Sequence, residues 1–382
     1  MLYYPTLYPD ELTGSWLVRM CRHSGLPIKR LLRELFGMTA SSHSIFLGNR
    51  IKIMSDLMAL EPTKILWEHT DFPYIVAFMS SDKVKKYEEE LLGNTGHQEN
   101  FNLASFTGSV TKGVFFRRYC PMCCDEQMRA YGESFWHRSH MLPAVHMCTR
   151  HQAPLFETSI PVRGLGRIWS YTLPNEVSGV PAKFNLPDCV QLELARRTEH
   201  YLMHRGHHNM NWSAYYRELA MDKGYQFKKQ FIASQRFSQD FFTAYDASFL
   251  LHAGCLPSLN KQRGWPALML RDAKRKLPFS PVKHILLQVF LEQSDALQKE
   301  VDYKIPGRKS RNYIELDESL ANAIQRKIKE ITETDQRFKI SELLQLANCW
   351  DIFRHHRAQL PSSVALVENF KLSKNWVNST KE

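Results

Sequence analysis

Two short cysteine-bearing motifs decide how the middle of this chain folds: Cys120-Pro121-Met122-Cys123 and, after 24 intervening residues, Cys148-Thr149-Arg150-His151. In each motif two residues separate the two potential ligands, a spacing that allows one tight turn to direct both side chains at a single ion. Together the motifs supply four sulfur and nitrogen ligands for a tetrahedral zinc site. We therefore predict one structural Zn²⁺ bound by Cys120, Cys123, Cys148 and His151. Four protein ligands leave no position for water, so the predicted site holds structure and performs no chemistry.

Several neighbouring residues are alternative ligands. Cys124 adjoins Cys123, but a neighbouring residue normally points away from a shared turn. An isolated histidine is more often a core or surface residue than a ligand, and this applies to three histidines of the insert: His137, His140 and His146. Cys189 with His200 and His204 has helical spacing for two ligands but lacks a fourth. We interpret that group as a solvated helix face.

The sequence on both sides of the metal-binding insert is patterned for short helices. Residues 10–70 carry apolar side chains at helical spacing, with Gly25 and Gly37 as stops and Pro62 in a first turn. This pattern fits a helix-turn-helix-like bundle and also any other small α-bundle. Val114–Tyr119 is β-prone and leads directly into the first cysteine motif. The predicted fold class is mainly α, with helix-turn-helix-type helical domains and a small β-containing zinc-finger insert.

The remaining chain gives a coarse domain division. Residues 156–188 contain many prolines and glycines and predict loops or short strands, and helical periodicity returns from Val190. The clearest later helices are predicted at Ser213–Lys223 (stopped by Gly224), Phe231–Tyr245, Leu316–Ile331 and Ile340–Phe353. We predict five segments: a helical domain (1–110), the zinc-finger module (111–160), a connection (161–205), a helix-turn-helix DNA-binding domain (206–300), and a basic linker with a C-terminal helical domain (301–382).

The charge of the chain points to an anionic partner. The 382 residues hold 50 Lys and Arg against 39 Asp and Glu, a net charge of +11. Nearly all of this excess lies in two stretches, because residues 261–283 carry seven cations and one anion, and residues 303–313 carry four cations and no anion. A solvated helix face followed by a linker is the alternative interpretation of either stretch. Two such stretches close together favour a surface that contacts nucleic-acid phosphates.

The predicted DNA contacts follow from these stretches and from one helix. The phosphate contacts are assigned to the basic residues Arg263, Arg271, Lys274, Arg275, Lys276, Lys283, Arg308, Lys309 and Arg311. A helix beginning near Phe231 is predicted to lie in the major groove of double-stranded DNA. Its candidate contacts are Lys228, Lys229 and Arg236, for which ordinary solvent exposure is the alternative.

Motifs for catalysis and for membranes are missing from the sequence. There is no phosphate-binding Gly-Lys-Ser/Thr loop, no Gly-x-Ser-x-Gly elbow and no His-Glu-x-x-His helix. We therefore predict that the protein is not an enzyme, with a nuclease built from scattered carboxylates as the least favoured alternative. No apolar run reaches the ~20 residues of a membrane span, and the start Met1–Pro5 has no signal-peptide pattern. Eight cysteines are too few for a disulfide framework, which favours a cytoplasmic, bacterial protein without membrane contacts.

The residues around the predicted zinc ligands are similar to those of a known family. In chain order, Tyr119–Cys123, Tyr131–Pro143 and Cys148–Leu155 resemble the zinc-binding core of the TniQ/TnsD family. Its members select target sites for heteromeric DNA transposons, including CRISPR-associated ones. Further segments agree in the same order: Asp10–Arg19, Glu68–Tyr74, Tyr216–Ala220 and Trp265–Leu287.

The resemblance implies a non-enzymatic protein that marks DNA and recruits a TnsC-like AAA+ ATPase regulator, which brings the transposase. In the family the amino-terminal part faces the regulator, and carboxy-terminal helix-turn-helix units bind attachment-site DNA. The alternative is an adaptor that docks on a guide-RNA-bearing Cascade complex and reads little DNA itself. Some adaptors carry a second cysteine-rich finger, of which only Cys189 remains here, and long attachment-site readers extend well past residue 382. A second copy of the chain is a further candidate partner, as a homodimer.

Overall fold

A computed structural model describes the chain over residues 3–37, 51–93, 116–162, 171–204, 210–227, 231–256, 264–271, 279–292, 312–333, 337–373 and 375–377. The described part is mainly helical with a small three-stranded sheet, as the sequence predicts. The chain divides into two compact units, Met1–Tyr303 and Lys304–Glu382. The finer division into five segments stays a prediction.

The first unit begins with six short helices. They are α1 (Thr13–Ser24), α2 (Ile28–Phe36), α3 (Ile51–Met58), α4 (Pro62–His69), α5 (Phe72–Val76) and α6 (Ser81–Leu92). Gly25 and Gly37 end α1 and α2 in the left-handed conformation, with φ of 66° and 64°. A residue without a Cβ adopts this conformation at no steric cost, so the glycine stops read from the sequence are confirmed. Pro62 lies in the first turn of α4, also as predicted.

The insert that the sequence predicts to bind zinc is built around the three-stranded sheet. Its elements are β1 (Phe116–Tyr119), α7 (Pro121–Tyr131), β2 (Phe156–Pro161) and β3 (Val180–Pro181). The strands are antiparallel in the order β1-β2-β3, with Arg118 opposite Glu157 and Tyr119 opposite Phe156. This pairing brings the end of β1, where Cys120 follows, next to the start of β2, which follows the second metal-binding motif. The sheet therefore places the two motifs side by side.

Both arginines of β1 are buried, an arrangement that a β-prone sequence pattern does not reveal. Arg118 donates hydrogen bonds to the carbonyls of Val145 and Leu142, the latter at 2.8 Å. Arg117 lies over the Trp136 ring at 5.4 Å. Burial lowers the pKa of each guanidinium to about 10. The strand is thus held by cations that bind backbone carbonyls and an aromatic face inside the fold.

The rest of the first unit is again helical. It contains α8 (Asp188–Met203), α9 (Trp212–Ala220), a hairpin of β4 (Gln226–Phe227) and β5 (Phe231–Ile232), α10 (Ser234–Ala244), α11 (Ala247–His252), α12 (Gly264–Met269) and α13 (Pro281–Glu292). Gly224 follows α9 with φ of 78° and ends the helical run, as predicted. The prediction that a helix begins near Phe231 is wrong by three residues. Phe231 pairs with Phe227 in the hairpin, so the backbone there is extended and α10 begins at Ser234.

One hydrophobic core runs through the first unit, from Trp16 of α1 to Leu291 of α13. Helix α8 packs against α5 on the amino-terminal side and against α13 on the carboxy-terminal side. Buried polar side chains in the same region are linked by hydrogen bonds. The Gln288 amide donates to the hydroxyl of Tyr201, and the Tyr216 hydroxyl lies 2.8 Å from Nδ1 of His284. The amino-terminal and carboxy-terminal helices of this unit therefore share one interior.

The second unit is a small helical bundle. It consists of α14 (Tyr313–Thr332), α15 (Ile340–Leu346), α16 (Trp350–His356) and α17 (Pro361–Phe370), with α14 packed along α17. The predicted single helix over Ile340–Phe353 is wrong, because Asn348 adopts φ of 56° and separates α15 from α16. Asparagine tolerates this left-handed conformation better than most residues. The result is two short helices joined by a three-residue turn.

Candidate metal centre and predicted DNA contacts

The first cysteine motif lies at the start of a helix. Cys120 is the extended residue before α7, with φ of −99° and ψ of 122°, and Pro121 occupies the first turn. Proline suits this position, because its fixed φ is helical and its missing N–H would have no partner there. Cys123 is the third helical residue, so its side chain returns toward Cys120. The spacing is therefore produced by a helix start and not by the simple turn that the sequence suggested.

The second motif lies in a tight turn ahead of β2. Met147 and Pro154 form an isolated antiparallel bridge, and Cys148 N–H donates to the Ala153 carbonyl at 2.8 Å. The His151 N–H points to the Cys148 sulfur at 3.4 Å. An amide directed at a cysteine sulfur stabilises the thiolate form that binds metals. The backbone thus prepares Cys148 as a ligand.

The four predicted ligands converge. The Cys123 and Cys148 sulfurs are 3.7 Å apart, and Nδ1 of His151 lies 3.5, 3.3 and 3.6 Å from the sulfurs of Cys120, Cys123 and Cys148. A tetrahedron with zinc bond lengths of about 2.3 Å to sulfur and about 2.0 Å to nitrogen has edges of about 3.8 Å between sulfurs and about 3.5 Å between sulfur and nitrogen. The observed separations match these edges, so the group fits a divalent ion with four protein ligands.

A carboxylate supports the histidine ligand from outside. Nε2 of His151 lies 3.2 Å from Glu126, which also forms an ion pair of 3.0 Å with Arg150. A carboxylate at this position fixes the tautomer that leaves Nδ1 free for a metal. Hydrogen bonds from Cys123 and Cys148 also hold the pKa of Cys120 well below its usual range. Glu126 was not singled out from the sequence; its spacing of three residues from Cys123 has meaning only once α7 is known to be helical.

The alternative ligands lie outside this group. Cys124 is buried on α7, and burial raises its pKa to about 12. Nδ1 of His137 faces Asp10 at 3.3 Å, and His140 is buried, which lowers its pKa to about 3. Cys189 and His204 are exposed on α8 and just beyond it, in keeping with the interpretation of a solvated helix face.

Two buried ion-pair networks join the amino-terminal segment to the metal-binding insert. In the first, Asp10 accepts from Nε of Arg138 at 2.8 Å and from Oγ of Ser139 at 2.6 Å. In the second, Arg19 bonds to Glu11 at 2.6 Å and to Glu133 at 2.8 Å. The segments that resemble family motifs around residues 10–19 and 131–143 are therefore in direct contact. The two networks hold the insert against the amino-terminal segment and α1.

Burial and charge act in opposite directions within these networks. Burial raises the pKa of Asp10, but its hydrogen bond and charge interaction with His137 and the charge of Arg138 outweigh this and lower it to about 2. For Glu11 burial dominates and raises the pKa to about 7, although Arg19 opposes the shift. Asp10 is thus firmly ionised at neutral pH, and its charge is tied to the contact with Arg138.

Most of the predicted DNA contacts lie outside the described residues. These are Lys228, Lys229, Arg263, Lys274, Arg275, Lys276, Arg308, Lys309 and Arg311. Arg236 is exposed on α10, 3.6 Å from Asp240, and Arg271 is exposed just after α12. Lys283 differs from the exposed placement assumed for a phosphate contact: it is 8% exposed on α13, with its ammonium 5.5 Å from the Trp265 ring. Its aliphatic stem packs in the core because α13 is buried along nearly its whole length.

No helix in the described ranges has both the length and the apolar character needed to span a bilayer.

Two separate parts of the chain match known protein families. Residues 2–155 match the TniQ family model, and residues 195–313 match the model of the Tn7-like transposition protein D, TnsD. The chain is also 27% identical over 161 residues to "Transposon Tn7 transposition protein TnsD" of Escherichia coli, an alignment that covers 40% of the chain and 31% of that relative. The match thus spans about a third of the relative's length. Cys120, Cys123, Cys148 and His151 and both ion-pair networks fall within the TniQ match. The two family-model matches, together with the similarity to TnsD, support a TniQ/TnsD family transposition protein.

Proposed function

We propose that this protein selects target sites for DNA transposition without being an enzyme itself. The observation that carries the proposal is the match of residues 195–313 to the Tn7-like TnsD model, next to a TniQ match over residues 2–155. In this proposal the protein binds double-stranded attachment-site DNA. It then recruits a TnsC-like AAA+ regulator, which brings the transposase.

The proposed cofactor is one structural Zn²⁺ on Cys120, Cys123, Cys148 and His151. The separations of the four ligand atoms support it, because they match the edges of a zinc tetrahedron. With four protein ligands the ion has no open position. Its proposed role is to hold α7 against the turn before β2, which keeps the surface of the TniQ-matching part rigid.

The proposed DNA surface is the basic part of the TnsD-matching region. Residues 261–283 carry seven of the chain's 50 Lys and Arg against a single anion, and such a density of cations attracts a polyanion. Because Lys283 is buried, the proposal now rests on the other members of the stretch.

The test measures how DNA affinity depends on salt. We expect the variant Lys274→Ala/Arg275→Ala/Lys276→Ala to bind duplex DNA more weakly, with a log–log salt slope smaller by about two to three, because each phosphate contact contributes about 0.9. The matched control neutralises three exposed lysines of α6: Lys83, Lys85 and Lys86. Equal slopes for the wild-type protein and the first variant would show that the basic stretch does not contact phosphates.

A second measurement separates the rival functions. The purified chain, without any companion protein, is mixed with candidate attachment-site duplexes and footprinted. Protection of one site without strand cleavage in Mg²⁺ is the result expected of a direct selector. Cleavage would favour the nuclease interpretation, and binding that requires a guide-RNA-bearing Cascade complex would favour the adaptor interpretation.

A further inference from the structure

A second group of side chains that could hold a metal ion lies near the base of the turn that carries Cys148 and His151. Nitrogen or oxygen atoms of His146, Glu157 and His252 all fall within 4.8 Å of one another. Nε2 of His252 is 3.0 Å from Oε1 of Glu157, and the rings of His146 and His252 are 4.9 Å apart. Two imidazoles and one carboxylate form a ligand set that zinc uses in proteins, with water in the fourth position.

The chain brings these residues together from three elements. The Leu155 N–H donates to the His146 carbonyl at 2.8 Å, so His146 lies at the base of the turn whose tip holds Cys148 and His151. Glu157 follows on β2, and His252 is the last residue of α11. The group therefore joins the part of the chain that matches TniQ to the part that matches TnsD.

Two atoms of the group lack a hydrogen-bond partner in the interior. Nε2 of His146 and Oε2 of Glu157 are both buried, and neither has a partner among the described residues. The His146 residue is only 3% exposed. A buried polar atom without a hydrogen-bond partner is energetically unfavourable, so an arrangement that leaves two in one place calls for a ligand. The surrounding walls are apolar, since the rings of Phe184 and Phe249 lie 4.6 and 5.7 Å from that of His146.

From this geometry we infer that His146, Glu157 and His252 form a second zinc site, which holds α11 against β2 and the base of the turn that carries Cys148 and His151. This site is additional to the four-ligand site and does not depend on the proposed function of the protein. Its ion carries three protein ligands, and the aromatic rings limit access of water from the sides.

The neighbouring guanidinium of Arg118 is expected to weaken metal binding at this site. Nη1 of Arg118 lies 3.2 Å from Nδ1 of His146. When Nε2 binds an ion, the ring proton of a neutral imidazole must move to Nδ1, so Arg118 has to turn toward its carbonyl partners. The guanidinium charge also repels the incoming ion. For both reasons we expect this ion to bind more weakly than the one held by three cysteines and a histidine.

The test counts zinc ions on the full-length, tag-free protein by equilibrium dialysis against buffered Zn²⁺, followed by elemental analysis. We expect two equivalents for the wild-type protein and for His355→Ala, an exposed-histidine control in the second unit. We expect one equivalent for His252→Ala and for Glu157→Gln. The second variant keeps the shape of the side chain, so it tests the site even if the first fails to fold.

Cobalt spectroscopy gives an independent readout. With Co²⁺ as the probe, the first equivalent should produce intense thiolate charge-transfer absorption, and the second should add only weak bands from nitrogen and oxygen ligation. A single equivalent in the wild-type protein at saturation would overturn the inference and leave a hydrogen-bonded His–Glu–His group. Two equivalents that persist in His252→Ala and Glu157→Gln would overturn it as well.

Discussion

Asp10 offers the most direct test of how the insert is attached to the amino-terminal helices. Its carboxylate binds Arg138 and Ser139. Burial raises its pKa, but the hydrogen bond and charge interaction with His137 and the charge of Arg138 outweigh burial and lower the pKa from 3.8 to about 2. By linkage, this shift corresponds to ~2 kcal/mol of folding stability at neutral pH. The sign follows from the lowered pKa: the contribution is fully present above pH 3.8 and is lost as the pH falls through about 2.

The substitution Asp10→Asn removes the charge with little change in shape. Asp10 has φ of 58°, and asparagine adopts this left-handed conformation as readily as aspartate does, so the backbone gains no strain. The Arg138 guanidinium stays buried, with its side chain 3% exposed, and now lacks its anionic partner. We therefore expect the first unit to lose at least ~2 kcal/mol of unfolding free energy at pH 7.

Denaturant unfolding, followed by tryptophan fluorescence, measures this loss. The matched control is Asp82→Asn, because Asp82 is exposed on α6 and the substitution should change stability by less than about 0.5 kcal/mol. The zinc content of each variant is determined alongside, so that loss of metal is not mistaken for loss of the ion pair. An Asp10→Asn protein as stable as the control would refute the assignment of Asp10 as a charged anchor.

Three further predictions concern other parts of the fold. Glu126→Gln should weaken zinc binding about 10–100-fold in a chelator competition, whereas Asp125→Asn on the exposed face of α7 should not, and equal affinities would exclude Glu126 as a support for the metal site. Phe241→Ala should cost ~3–5 kcal/mol in denaturant unfolding, because the ring is fully buried among other aromatic rings, while Leu251→Ala at a 58% exposed position should cost far less. Asp317→Ala should lower amide hydrogen-exchange protection in the first turn of α17 by ~1–3 kcal/mol, since its carboxylate accepts two backbone N–H bonds there; unchanged protection would contradict this capping role.

Local features of the fold were predictable because their physical causes are local. Gly25 and Gly37 each end a helix in the left-handed conformation, and glycine at such a position can be recognised directly in the sequence. Two predictions failed where a backbone conformation competed with side-chain periodicity. Phe231 entered a hairpin, and Asn348 split a periodic apolar segment into two helices.

Placement in the interior could not be predicted from residue type. Lys283 looked like a phosphate contact because it belongs to a cationic stretch, yet α13 carries it into the core. The β-prone pattern of Val114–Tyr119 does not reveal that Arg118 is buried, with its guanidinium bound to buried carbonyls. Charge patterns report composition along the chain, whereas burial depends on which elements pack on both sides.

The sequence by itself predicted that Cys120, Cys123, Cys148 and His151 lie together, because each motif holds two of these side chains at a short, fixed spacing. It also determined the mainly helical class and the concentration of positive charge. Only the tertiary structure decided which distant residues meet: Asp10 with Arg138, and His146 with Glu157 and His252. Such contacts depend on how whole helices and strands pack together. The contacting residues are far apart along the chain, so no single sequence motif encodes them.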